Sequence, residues 1–254
     1  MTTWILLRGL TREIGHWGTF PAVLRSVLGN AAVVAIDLPG AGEFHEQASP
    51  THIEEIADHC HRQAIALQLQ PPFNLVALSL GAMVAVAWAR ANPDEVAAAV
   101  LMNTSIRPYC RPWRRLRPRN YPSLLRLLFP ATARNRESII LRLTSHERID
   151  DDSIIDEWVA LEERHPVALT SALRQLLAAT RFRQDSPPAG TRLLVLASRG
   201  DTLVDCNCSR RLALAWRAEY AEHPTAGHDL PLDDGQWVAA QIADWWKKME
   251  TRTD

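Results

Sequence analysis

Along the first hundred residues, short apolar runs alternate with stretches where apolar positions recur every three or four residues. Trp4 to Leu7 reads as a buried strand broken by Gly9, and a loop from Leu10 to Gly18 follows. Phe20 to Leu28 reads as a helix with Pro21 in its first turn, where a missing N–H removes no helical bond. Ala31 to Leu38 is a β-branched apolar run closed by Pro39-Gly40, a second buried strand. Thr51 with Glu54 three positions on gives a capping box, and Ile53, Ile56, Ala57, Cys60, Ala64 and Leu67 then fall on one helical face. Leu75 to Leu78 and Val96 to Asn103 are two more buried strands, separated by an Ala-rich helix from Ala82. From Ile106 to Asp185 strand-like runs cease and apolar residues keep helical spacing. Arg192 to Ser198 then returns to a buried strand. Ser209 to Ala218 is helical, Ala218 to His223 is a weak sixth strand, and Gln236 to Met249 is a closing amphipathic helix. Alternating strand and helix units predict an α/β fold: about six mainly parallel strands with helices on both faces. The core would comprise residues 1–105 and 186–254, with 106–185 inserted as a helical cap.

One join in this pattern carries chemistry. In Ala77-Leu78-Ser79-Leu80-Gly81 a strand becomes a helix within three residues, so the residue at the turn takes a strained backbone and an exposed side chain. Small residues two positions either side, Ala77 and Gly81, make that turn sterically feasible. This is the strand–Ser–helix nucleophile elbow, with alanine for the first glycine of G-x-S-x-G. A serine hydroxyl is a weak nucleophile unless a base takes its proton and a third group orients the base. Loops after the carboxyl ends of parallel strands gather at one edge, so acid and base should follow later strands. Asp201 follows the strand ending at Ser198, and His228 follows the last weak strand. The chain order Ser79, Asp201, His228 is that of α/β-hydrolase triads. Asp205 is the nearby competitor as acid, four residues farther from the strand end, and His16 is the best competitor as base. Oxyanion donors, worth roughly 3–4 kcal/mol each, are expected from the backbone N–H groups of Leu80 and Leu10.

Composition narrows the classes. At 254 residues with 47 % hydrophobic content, the chain fits one large globular domain or one domain with an insertion. A formal net charge of −1 gives no global field for nucleic acid, so no nucleic-acid partner is expected. No run approaches the roughly 18 uninterrupted apolar residues of a membrane span. Residues 1–30 mix Arg8, Arg12 and Glu13 into the pattern, unlike a signal peptide. Four scattered cysteines, Cys60, Cys110, Cys206 and Cys208, then fit a cytoplasmic chain with free thiols. Cys206-Asn207-Cys208 lacks a second ligand pair, so no metal site is expected.

The stretches LLRGLTREIGHW, VVAIDLPGAGE, ALSLGAMVA, LVLASRGDTLV and TAGHDLPL together resemble the α/β-hydrolase superfamily, in particular capped carboxylesterases similar to pimeloyl-ACP methyl ester esterase. The resemblance covers nearly the whole chain outside 106–185. It implies a serine esterase without cofactor: Ser79 as nucleophile, Asp201 as acid, His228 as base, and the Leu10 and Leu80 amides as oxyanion hole. Trp17 matches the aromatic that follows the oxyanion loop in those esterases and is expected to border the acyl pocket. Two features depart from the family. Arg8-Gly9 stands where His-Gly is usual, which suggests Arg8 as a contact for an anionic substrate group. The usual N-terminal hairpin is missing, leaving Ala31–Leu38 as the expected sheet edge. A triad-using lyase similar to the cyclohexadiene-carboxylate synthases of menaquinone synthesis is the alternative activity.

Charge divides unevenly. Residues 106–185 hold fifteen arginines and no lysine against ten acidic residues, leaving 13 basic and 19 acidic residues elsewhere. Arg107, Arg111, Arg114, Arg115, Arg117 and Arg119 crowd into thirteen positions. Arginine holds carboxylate and phosphate in bidentate fashion, and basic cap residues of the similar esterases receive the acyl carrier protein. The expected partner is therefore a small-molecule ester, with an ester carried on an acidic acyl carrier protein as the finer expectation.

Overall fold

A computed structural model of the chain describes residues 2–29, 31–129 and 131–251. Six strands, β1 (Thr3–Leu7), β2 (Ala32–Ile36), β3 (Phe73–Leu78), β4 (Val96–Met102), β5 (Arg192–Ser198) and β6 (Glu219–His223), form one sheet in the order β2-β1-β3-β4-β5-β6. Every adjacent pair is parallel. The β2 run lies at the edge, where the sequence puts it. Around the sheet run α1 (Phe20–Val27), α2 (Ile53–Ala66) and α3 (Leu80–Ala91). Between β4 and β5 come α4 (Pro112–Arg115), α5 (Tyr121–Arg126), α6 (Ala133–Thr144), α7 (Asp152–Arg164) and α8 (Leu169–Arg181), and the chain closes with α9 (Asn207–Trp216) and α10 (Leu230–Glu250). No described helix is long and apolar enough to cross a membrane.

Strand periodicity divides the core in two. Side chains alternate between sheet faces, so Ile5, Leu7, Leu75, Ala77, Ala99, Leu101 and Val195 pack with α2, α3 and α9. Trp4, Leu6, Val76, Leu78, Val100, Leu194 and Leu196 pack on the other face with α1 and α10. Both layers are buried, which is why these strands read as continuous apolar runs rather than alternating ones.

Three expectations need correction. The helix expected from Thr51 begins at Ile53 instead, with His52 at its cap and no side-chain cap hydrogen bond. The closing helix begins at Leu230, earlier than Gln236, and is interrupted at Asp234 (φ −148°, ψ 75°). Asp234 Oδ1 accepts from Trp237 N at 2.9 Å, so the expected start marks the second helical piece with its own cap. Finally, the four cysteines are not all free thiols: Cys110 and Cys208 form a disulfide, 98 residues apart, while Cys60 and Cys206 are unpaired. The bridge joins the start of the 106–185 insertion to the N-terminus of α9.

Gly81 sets how closely α3 approaches β1. A Cβ there would lie 2.4 Å from the carbonyl oxygens of both Leu7 and Arg8. Both obstacles are backbone, so neither has a rotamer by which to move aside. Gly81→Ala is expected to destabilise the chain by about 3 kcal/mol, the upper end of ordinary overpacking, read as a lowered urea midpoint at unchanged m-value.

Candidate active site

Strand register delivers the site residues to one edge. Leu7 pairs with Ala77, so two residues on Gly9 stands opposite Ser79, and a Cβ on Gly9 would lie 3.4 Å from Ser79 Cβ. Leu78 pairs with Met102, and Ser79 N donates to Met102 O at 2.9 Å. Ser79 itself has φ 55° and ψ −112°, in the positive-φ region that an L-residue occupies at a cost of about 1–3 kcal/mol. The elbow strain expected from sequence is thus present, and Ser79 is half-buried rather than sealed in the core. Leu80, the next residue, opens α3, whose first N–H groups carry the positive end of the helix dipole. Leu10 lies in the loop after β1. Among the described residues its N–H has no hydrogen-bond partner.

Asp201 and His228 meet. His228 Nδ1 is 2.7 Å from Asp201 Oδ2, with both side chains buried. The other carboxylate oxygen, Oδ1, accepts from the backbone N–H groups of Leu203 and Val204 at 2.8 and 2.9 Å, which fixes the carboxylate's plane. Burial acts to depress the imidazole's pKa, but the facing Asp201 charge and its hydrogen bond outweigh it, and the pKa of His228 is raised above 6.5. With Nδ1 occupied, Nε2 is the nitrogen left for an outside partner.

The two competitors have other roles. Asp205 accepts from Asn207 N and lies 3.7 and 3.9 Å from Arg114 and Arg117. His16 is buried, takes a contact from Arg12 Nη1 at 2.7 Å and packs against Trp158. Burial, then the charges of Arg12 and Arg8, push its pKa down.

Sequence reasoning missed the residues that hold the pieces together. Asn103, at the end of β4 and 1 % exposed, donates through Nδ2 to the carbonyls of Gly227 (3.1 Å) and His228 (2.9 Å) and to Ser198 Oγ (3.0 Å). Its Oδ1 accepts from Ser198 N at 2.8 Å. One amide thereby ties the His228 loop to the end of β5. The neighbouring Thr104 Oγ1 donates to Ser79 O at 3.0 Å. A polar pair at a strand's carboxyl edge was the available signal.

Arg8 takes a different place from the one expected of an anion contact. Its Nη1 and Nη2 donate to Asp229 Oδ1 and Oδ2 at 3.1 and 2.6 Å, and its guanidinium lies 4.8 Å from the centre of the Trp17 ring. Trp17 is buried and stacks on Phe20. The ion pair clips the strand leading into the Leu10 loop to the residue after His228.

The crowded arginines of the insertion also face inward in part. Arg115 donates to the carbonyls of Ala179 and Thr180 at the C-terminus of α8, where a cation suits the helix dipole. Arg117 N donates to Leu203 O, Asp205 N donates to Arg114 O, and Asn120 Nδ2 donates to Thr202 O at 2.7 Å. This segment braces the loop that carries Asp201. Among the described residues, no group of three or more His, Cys, Asp or Glu side chains could hold a metal ion.

A six-stranded parallel sheet with a strained serine between strand and helix, and a buried Asp–His pair at the same edge, defines the α/β-hydrolase class. The chain belongs to the Alpha/beta hydrolase family, whose model matches residues 5–241. No curated protein matches the sequence significantly. Solved structures share the fold at low identity. A thermophilic esterase from Thermogutta terrifontis is 22 % identical with a TM-score of 0.75, covering 98 % of this chain and 90 % of that one. The enol-lactonase from Burkholderia xenovorans LB400 is 18 % identical with a TM-score of 0.77, covering 97 % and 91 %. A hydrolase from Pseudomonas aeruginosa PA01 is 14 % identical with a TM-score of 0.73, covering 96 % and 89 %.

The Arg8–Asp229 pair gives a direct test of this packing. Arg8→Met leaves a buried carboxylate without its partner and is expected to cost about 3–5 kcal/mol. Arg8→Met/Asp229→Leu, which removes both charges, should recover most of that loss in urea unfolding. A double variant as unstable as the single one would assign the cost to packing rather than to the ion pair.

Proposed function

We propose that the protein is a serine hydrolase of carboxylic esters, with Ser79 as nucleophile, His228 as general base and Asp201 as the group that orients and stabilises the imidazolium. The observation carrying this reading is the 2.7 Å Asp201–His228 hydrogen bond at the sheet edge that also presents the strained Ser79. Family membership supports a hydrolase. Ser79 attacks the ester carbonyl while His228 Nε2 takes its proton. The N–H groups of Leu10 and Leu80 hold the tetrahedral oxyanion. His228 then returns its proton to the departing alcohol, and water releases the acid from the acyl-enzyme by the reverse route. No metal or organic cofactor takes part in this scheme. Residues 106–185 act as the cap over the site, and Trp17 borders the acyl side from within the core.

The lyase alternative drew its support from Arg8 and the basic cap as a match for an acidic substrate. Both terminal nitrogens of Arg8 lie on Asp229, which leaves the arginines of residues 106–185 as its remaining basis. An acyl-carrier-linked ester keeps a narrower basis: Arg111, Arg119 and Arg126 are exposed and, among the described residues, have no carboxylate partner, whereas Arg114 and Arg117 lie near Asp205.

Turnover of p-nitrophenyl acyl esters, with intact-mass detection of an acyl group on Ser79, tests the reading. Ser79→Ala should abolish both signals, and absence of any Ser79 adduct across a range of acyl lengths would contradict it. Asp201→Asn should lower kcat about 10⁴-fold, because the imidazole is no longer held in the tautomer that accepts a proton at Nε2.

The pH profile follows from the raised His228 pKa. The base works only when neutral, so kcat/KM should rise with pH through a midpoint above 6.5, the ordinary histidine value. A midpoint below 6.5 would mean that burial, not Asp201, governs the ring.

A further inference from the structure

The loop that carries the Leu10 N–H is held in an unfavourable conformation by a residue from the insertion. Arg12 N donates to Gly9 O at 3.3 Å, closing a four-residue turn over Gly9–Arg12. Its third residue, Thr11, has φ 57°. A turn with positive φ at that position has its central peptide flipped relative to the commoner form, and glycine or asparagine normally occupies it. Threonine is β-branched and resists this region. Within the turn Thr11 Oγ1 donates to the carbonyl of this peptide, Leu10 O, at 2.7 Å; the N–H of the same peptide is held from outside the turn.

That holder is Gln175 of α8. Its Oε1 accepts from Thr11 N at 2.9 Å, and its Nε2 donates to Pro39 O at 3.2 Å. Gln175 has no solvent exposure. The buried face of α8 is Ser171, Gln175 and Ala178, while Leu169, Leu173, Leu176 and Leu177 are exposed. A helix that turns a glutamine inward and leaves four leucines outward has given that inward position to a polar task. Both ends of the amide are used, one on the Leu10 loop and one on the turn after β2. Relaxing the Leu10–Thr11 peptide to the commoner turn would swing the Leu10 carbonyl toward the side where the Thr11 N–H now points, against the Gln175 acceptor.

We propose that Gln175 is a positioning residue for the oxyanion hole: it anchors the peptide next to the Leu10 N–H, holding the Gly9–Arg12 turn in its flipped form, and ties the placement of that donor to the seating of α8. The inference rests on the esterase reading and on Leu10 as a donor. Gln175 touches no reacting atom; it acts through the Leu10 loop. Its loss should fall on the transition state rather than on substrate binding.

The experiment compares wild type, Gln175→Leu and Gln175→Leu/Thr11→Gly on a short p-nitrophenyl ester. Gln175→Leu should lower kcat roughly ten- to hundredfold, less than the roughly 10²–10³-fold cost of removing an oxyanion donor outright, with KM changed less than about threefold. Affinity for a trifluoromethyl ketone, which mimics the tetrahedral oxyanion, should fall by the same factor as kcat/KM. Adding Thr11→Gly should recover most of the lost rate, since glycine takes positive φ without help. A purely structural role for Gln175 predicts no such recovery, because glycine on a loop does nothing for a hole in α8. Gln175→Asn keeps the amide but falls one methylene short, should lose a similar factor, and carries the test if the leucine variant does not fold. An unchanged kcat in either single variant, or no recovery in the double variant, overturns the proposal while Ser79-dependent turnover in wild type leaves the esterase reading standing. Absence of Ser79-dependent turnover in wild type would instead overturn the reading on which the proposal is built, and this proposal with it.

Discussion

The hydrogen bond between Asp201 and His228 is the interaction on which the rest of the site depends. A neutral imidazole has one donor and one acceptor nitrogen, and whichever nitrogen meets the carboxylate becomes the donor. Fixing Nδ1 on Asp201 leaves Nε2 as the acceptor, the state a base needs. The surrounding structure serves this one contact. Two backbone N–H groups orient the carboxylate, Asn103 grips the carbonyl of His228 itself, and Arg8 holds the next residue, Asp229.

The helices between β4 and β5 make specific contacts with the loops at the sheet's carboxyl edge. The first segment of this insertion, with the Cys110–Cys208 bridge, lies on the loop after Asp201. The end of α6 meets the His228 loop, where Asp229 N donates to Thr144 O at 2.7 Å and Asp233 accepts from His146 N at 2.9 Å. The helix α8 reaches the Leu10 loop through Gln175. Each of three loops at the carboxyl edge therefore has a partner in the insertion. A further buried contact, Arg12 to Glu137 at 2.7 Å, joins the Leu10 loop to α6 as well. Movement of any of these helices would reach the proposed chemistry through hydrogen bonds rather than through bulk packing.

Much of this was legible in the sequence because parallel strands with two buried faces leave an unmistakable apolar signature, and their carboxyl ends are countable positions. That logic placed Ser79, Asp201 and His228 at one edge without any knowledge of distance. It also placed β2 at the sheet edge. What escaped it were long-range pairings with no local trace. Nothing near Cys110 announces Cys208, and nothing in the leucine-rich α8 pattern marks Gln175 as its inward residue. Arg8 was visible as a departure from the family, but a lone arginine does not reveal its counter-ion; Asp229 had to be brought beside it by the fold. The Thr51 capping box failed because the chain reached helical geometry only at Ile53, with no side-chain oxygen bonded at the cap.

The central claim is most directly tested by nitrogen NMR of the chain labelled with ¹⁵N-histidine, following His228 across pH and assigning it by its loss in His228→Gln. The account predicts that, above its raised pKa, His228 carries its proton on Nδ1 and presents an unprotonated Nε2. A neutral ring protonated on Nε2, or exchanging evenly between the two forms, would contradict it.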